Sequence, residues 1–122
     1  MGAGIILVVD DNPDTSDALV RLLKLRGYDV LAAFDGAEAL GFLRNGLEPS
    51  LIVLDLRMPV MDGHMFLQTI STDPQFARLP VVIYSAVRDA IVADVVLAYV
   101  EKGRDPEALL DVIATACPPR LN

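Results

Sequence analysis

The sequence predicts an α/β fold: a doubly wound, five-stranded parallel sheet covered by helices on both faces. Three observations predict it. Short apolar runs alternate with segments whose apolar residues recur at helical spacing. The apolar runs are nearly continuous rather than alternating, as in strands buried on both faces. Turn and capping residues such as Asp11-Asn12-Pro13, Asp35-Gly36 and Asn45-Gly46 stand at the junctions.

The elements follow in order. Ile5 to Val9 is a buried-strand run. Asp11-Asn12-Pro13 supplies capping chemistry and a first-turn proline for a helix bearing Ala18, Leu19, Leu22, Leu23 and Leu25, which Gly27 stops. Tyr28 to Phe34 reads as the second strand. Asp35-Gly36 opens a helix with Ala39, Leu40 and Leu43 on one face, and Asn45-Gly46 ends it. Leu51 to Leu54 is the third strand and runs into Asp55. Met58-Pro59-Val60-Met61-Asp62-Gly63 is a loop, and a helix follows from about His64 to Ser71. Pro80 precedes the fourth strand, Val81 to Ser85. The fifth strand lies near Ala98 to Glu101. Asp105-Pro106-Glu107 starts a last helix bearing Leu109, Val112, Ile113 and Ala116.

The 122 residues suit one compact domain, spanning 1–122 with its core at about 4–117. A composition 53% hydrophobic and 22% charged suits a packed core. The net charge of -7 argues against direct nucleic-acid binding, which needs a basic surface. The single cysteine, Cys117, cannot build a disulfide framework and reads as a small apolar residue on a helix face. No apolar run reaches the roughly 20 residues of a membrane helix, and Met1-Gly2-Ala3-Gly4 lacks the basic start of a signal peptide. A cytoplasmic protein is the expectation.

Ligands of open parallel sheets bind beyond the carboxyl ends of the strands. The first strand ends in Asp10-Asp11, the third in Asp55 and the fourth in Ser85, and Lys102 follows the fifth. Three acids crowded together repel one another unless a cation intervenes. An oxygen-only donor set suits Mg²⁺, with Mn²⁺ as the alternative. A carboxylate can act as a nucleophile and form an acyl phosphate, while a metal ion and an ammonium offset charge on the transferring oxygens. Each residue alone has a blander reading: Asp11 as a helix cap, Ser85 as a strand-end hydroxyl, Lys102 as a solvated charge, Tyr99 as core. His64 reads as a plain exposed histidine. Met58 and Met61 read as loop packing, since thioethers prefer softer ions.

These residues together resemble the response-regulator receiver family of two-component signalling, over about residues 4 to 117. The resemblance is carried by Asp10-Asp11, by Asp55 after Leu51-Ile52-Val53-Leu54, by the Met58 to Gly63 loop, by Ser85-Ala86, and by Tyr99 three places before Lys102. It implies the flavodoxin-like receiver fold. It implies that Asp55 is the phospho-acceptor, that Asp10, Asp11, Asp55 and the backbone carbonyl of Arg57 hold Mg²⁺, that Ser85 and Lys102 contact the phosphoryl group, and that Tyr99 is a rotameric switch. The donor would be a histidine kinase or histidine phosphotransfer protein, and the output an unidentified downstream protein. Such a domain is no ordinary enzyme, since its catalysis is its own phosphorylation and the slow hydrolysis that reverses it.

Three departures from the family stand out. Gly103 replaces the proline that usually follows the lysine, so the Lys102-Gly103 peptide is expected to be trans. Val87 to Leu97 offers only 11 residues for a crossover that needs about a dozen, and its β-branched content disfavours helix. A shortened or irregular fourth helix is therefore expected, with a remodelled output face. Arg57 and Val87, each two places beyond a site residue, are positioned to tune the acyl-phosphate lifetime. The competing readings are a receiver-fold binding module that is not phosphorylated, and a phosphatase or flavin protein. The last two lack, respectively, room for a substrate cap and a phosphate-binding loop after the first strand.

Overall fold

The structure, a computed structural model, describes residues 4–58, 60–86, 96–103 and 106–118. Among the described residues nine elements follow one another: β1 (Ile5–Val9), α1 (Pro13–Leu25), β2 (Asp29–Ala33), α2 (Gly36–Arg44), β3 (Leu51–Leu54), α3 (Gly63–Thr72), β4 (Val81–Ser85), β5 (Val96–Glu101) and α4 (Glu107–Ala116). The sheet has five strands in the order β2-β1-β3-β4-β5, all parallel.

β1, β3 and β4 form because their apolar runs bury both faces, with successive side chains going to opposite sides, while β2 and β5 stay partly exposed at the sheet's edges. Leu7, Val9, Ile52, Leu54 and Ile83 pack with Leu40, Leu43, Phe66 and Ile70, under α2 and α3. Ile6, Val8, Val53 and Val82 pack with Leu19, Leu23, Leu109 and Ile113, under α1 and α4. Each fully buried aliphatic side chain stabilises the fold by about 1.5–3 kcal/mol. None of the helices among the described residues is long and apolar enough to cross a membrane.

The helix starts decide where the chain leaves the sheet. Asn12, not Asp11, caps α1: its side chain accepts from the amides of Asp14 and Thr15. That leaves the Asp11 carboxylate out of the cap, contrary to the capping role its position suggested. Asp35 and Asp62 cap α2 and α3 in the same way. Gly27, at φ 95, ends α1 with its amide on the Lys24 carbonyl.

Strand ends differ from expectation in two places. β2 pairs only over Asp29–Ala33. The Phe34 amide is taken by Glu38 Oε1 at 2.7 Å, so it serves the start of α2 rather than extending the strand. β5 begins at Val96, not Ala98. Val81 pairs with Val96 but Val82 with Ala98, so Leu97 is an extra residue on the edge strand, a β-bulge. The bulge puts Val96 and Tyr99 toward the α2–α3 side and Ala98 and Val100 toward the other. The expected short fourth helix and Val87 fall in residues 87–95, outside the described residues.

Candidate functional site

The order of strands reverses at β1 and β3, and the crevice above that switch point is where such sheets bind ligands. The sheet ladder continues one residue past both strands. The Asp10 amide donates to the Ala33 carbonyl at 3.0 Å, and the Asp55 amide to the Val9 carbonyl at 2.9 Å. Both aspartates therefore have backbones as fixed as the strands that carry them. Asp10 is 2% exposed and Asp55 6%, whereas Asp11 faces solvent. One carboxylate oxygen from each of Asp10, Asp11 and Asp55 lies within 4.8 Å of the others.

From the other side come Ser85 and Lys102. The Lys102 amide donates to the Ser85 carbonyl at 2.9 Å, which ties the end of β5 to the end of β4. Ser85 Oγ donates to Asp55 Oδ1 at 3.0 Å. Lys102 Nζ lies 3.1 Å from Asp55 Oδ2 and 2.6 Å from Asp10 Oδ2. The Arg57 amide approaches Asp55 Oδ1 at 3.3 Å, and the Asn12 amide donates to Asp10 Oδ1 at 2.9 Å.

Burial pushes the Asp10 carboxyl above its ordinary value. The Lys102 and Asn12 hydrogen bonds oppose that shift, and the Asp55 charge adds to it. For Lys102 burial alone would act downward, but the hydrogen bonds and charges of Asp10 and Asp55 outweigh it, so the ammonium is held above its ordinary range. Two carboxylates contact the one ammonium, and the Asp11 carboxylate adds a third negative charge beside them. The excess of two negative charges equals one divalent cation, and the donors are all oxygens, which suits a hard ion such as Mg²⁺ or Mn²⁺. Asp10, Asp11 and Asp55 thus fit such an ion by charge and by chemistry.

The other sequence-derived candidates fall as follows. Arg57 is exposed, on the loop two residues after Asp55. Tyr99 is half-buried and packs at the β5 edge of the core under α2 and α3. Met58 and Met61 pack on that same core. His64 is partly buried in the first turn of α3. Cys117 follows α4, and its carbonyl accepts from the Tyr28 hydroxyl. The Lys102-Gly103 peptide is trans, and Gly103 turns the chain at φ 93. Proline, locked near φ -65°, cannot take that conformation. The loop after Lys102 is therefore held by a left-handed glycine.

Gly63 has a role its sequence context did not reveal. A Cβ there would lie 2.4 Å from the Asp55 carbonyl oxygen and 2.6 Å from Leu56 Cα. Glycine lets α3 begin directly against the backbone of the buried aspartate. A glycine after an aspartate reads as a turn, and nothing local signals a contact seven and eight residues back.

An apolar groove of about 440 Å³ lies between Leu97 and the Val112, Thr115 and Ala116 face of α4. Among the described residues that line it, Asp111 is the one ionisable group.

The chain matches the family model described as "Response regulator receiver domain" over residues 6–114. It is 37% identical over 100 residues to the DNA-binding response regulator MtrA of Mycolicibacterium smegmatis, covering 82% of this chain and 41% of that protein. It is 38% identical over 85 residues to hybrid signal transduction histidine kinase D of Dictyostelium discoideum, covering 70% of this chain and 5% of that kinase. The chain thus spans well under half the length of either relative. Among solved structures, response regulator TrrA of Thermotoga maritima, in complex with Mg(2+)-BeF, superposes with a TM-score of 0.82 at 26% identity, covering 93% of this chain and 98% of that one. The Mn(2+)-bound form of response regulator Rcp1 superposes with a TM-score of 0.76 at 29% identity, covering 92% of each chain. With its five-stranded parallel sheet and the acidic cluster at the switch point, the chain is a receiver domain of the two-component response-regulator family.

Proposed function

We propose that this receiver domain accepts a phosphoryl group on Asp55 from a phosphohistidine, with Mg²⁺ or Mn²⁺ bound, and so switches a surface read by a downstream protein. One observation carries the reading. Asp55, nearly buried, sits beside two further carboxylates while a hydroxyl and an ammonium contact its two oxygens.

The chemistry follows from these contacts. Asp10, Asp11, Asp55 and the Arg57 carbonyl would hold the metal ion. The ion supplies positive charge against the phosphoryl oxygens. A carboxylate oxygen of Asp55 attacks phosphorus, and the P–N bond to the donor imidazole breaks with its electron pair returning to the ring nitrogen. Lys102 then balances charge on the phosphoryl oxygens, and Ser85 donates a hydrogen bond to one of them. Hydrolysis reverses the state: a water oxygen bonds to phosphorus and the Asp55–phosphorus bond breaks. Tyr99, on β5 three residues before Lys102, would report the change by altering its packing. Arg57 and Val87 would set the lifetime of the acyl phosphate. The donor is a histidine kinase or phosphotransfer protein, and the setting a cytoplasmic one without direct contact to nucleic acid, as the acidic charge favours.

Intact-mass spectrometry after incubation with phosphoramidate and Mg²⁺ tests this. The wild type should gain one phosphoryl group, and Asp55→Ala none. No adduct on the wild type, with no Mg²⁺ binding by calorimetry, would leave a protein-binding module that keeps the fold without the reaction.

A further inference from the structure

We infer that Gly36, at the start of α2, is a positioning residue for the cation site, clamping from outside the loop that follows Asp55 and carries the Arg57 carbonyl. The inference rests on the metal-dependent function proposed above.

The first amides of a helix have no partner within it and must find one elsewhere. At α2 two links are made locally: Asp35 accepts from the Glu38 amide at 2.8 Å, and Glu38 accepts from the Phe34 amide at 2.7 Å. The Gly36 amide instead reaches a different element and donates to the Met61 carbonyl at 3.1 Å. Contact there is so close that a Cβ on residue 36 would lie 2.8 Å from Met61 Cγ, 2.9 Å from the Met61 carbonyl oxygen and 3.0 Å from Phe66 Cβ. Gly46 and Gly103 form the contrast. They have φ of 104 and 93 with open space around them, so they serve the backbone turn. Gly36 is not in a left-handed conformation, so what it provides is proximity.

The loop needs such a brace. Val60, next to Met61, is a β-branched residue at φ 65 and is 81% exposed. A β-branched residue does not hold that conformation unaided, and one so exposed has little packing of its own to hold it. At the other end Gly63 sits against the Asp55 and Leu56 backbone, with its amide donating to the Leu56 carbonyl at 3.0 Å. The Met61 to Gly63 stretch is thus held twice, to α2 through the Met61 carbonyl and to the backbone of Asp55 and Leu56 through Gly63. A side chain at residue 36 pushes on Met61, and the displacement passes through Gly63 to the Leu56 backbone, next to the Arg57 carbonyl.

The test is Gly36→Ala beside Gly41→Ala, a second α2 glycine with nothing within 4 Å of an added Cβ. Mg²⁺ is titrated by calorimetry, thermal melting is recorded, and phosphoramidate labelling is followed by mass at several Mg²⁺ concentrations. Gly36→Ala should weaken Mg²⁺ binding by about 10-fold, the low end for loss of a group that orients metal ligands. Labelling should slow at limiting Mg²⁺ and recover at saturation. Gly41→Ala should match the wild type in both. A merely structural role would reduce the folded fraction and leave the dissociation constant of folded molecules unchanged, and that result overturns the inference. Should Gly36→Ala melt below the assay temperature, the same comparison is made in a Val60→Gly background, where residue 60 takes its φ freely. Equal Mg²⁺ affinity there also overturns it. A wild type that binds no Mg²⁺ overturns the functional reading itself, a result distinct from either.

Discussion

β3 and β5 both deliver a residue to the acidic cluster, yet they are built oppositely. β3 lies inside the sheet, its four residues are all buried, and the Asp55 amide that follows is held by the Val9 carbonyl. β5 is an edge strand, half-exposed and bulged at Leu97, whose side chain is 53% exposed. The side chain it delivers, Lys102, is 15% exposed against 7% for Asp55. The difference matches the two tasks. A nucleophile must sit within tenths of an ångström of its reacting position. A long-stemmed ammonium can balance charge from several positions, so the less constrained strand suffices to carry it.

Several substitutions sharpen or break that contrast. The largest effect falls on β3: Leu54→Ala, at a fully buried position, should lower unfolding stability by about 3 kcal/mol. Leu97→Ala on β5 should stay within about 0.5 kcal/mol. Urea titration of both reads the difference, and equal losses would show β5 to be as structurally committed as β3. Next, Lys102→Ala should slow phosphorylation of Asp55 by about 100-fold, the usual loss when a stabilising donor is removed, without unfolding the protein. A smaller effect is expected at Asp10, whose buried carboxylate is insufficiently compensated without metal. Asp10→Asn should raise metal-free stability, because burial disfavours the Asp10 charge, and abolish the stabilisation that Mg²⁺ confers. Lower metal-free stability would show instead that the Lys102–Asp10 contact is net favourable.

The smallest effect is one of pH. Lys102 is held above its ordinary value of 10.5, so its folded form binds the proton more tightly than its unfolded form. Its contribution is fully present below 10.5 and is lost as pH rises through the higher folded value. Melting curves taken above that point should therefore fall more steeply for the wild type than for Lys102→Met. Parallel curves would mean that the ammonium gains nothing from Asp10 and Asp55.

Much of this was legible in the chain. Continuous apolar runs, helix-period leucines and capping residues named the sheet and the order of the described elements, because backbone pairing and helix formation respond to local pattern. The strand-end positions of Asp10, Asp11, Asp55, Ser85 and Lys102 were readable for the same reason: a parallel sheet carries all its strand ends to one edge. Less legible was anything set by the third dimension. The bulge at Leu97 shifts the alternation of β5 by one residue, and its signal is spread over pairing with β4. Asn12 rather than Asp11 became the α1 cap because of where the chain leaves the sheet, and that freed Asp11 for the cluster.

By itself, then, the sequence determined the fold class, the strands and the chemical types gathered at their ends. Tertiary structure alone decided how those groups share charge, which carboxylates lie buried beside Lys102, and why Gly36 and Gly63 are glycines. The physical reason is one of range. Periodicity and capping act within a few residues, whereas the approach of Gly36 to Met61 and of Lys102 to Asp10 spans distant parts of the chain and exists only once the sheet has brought their elements together.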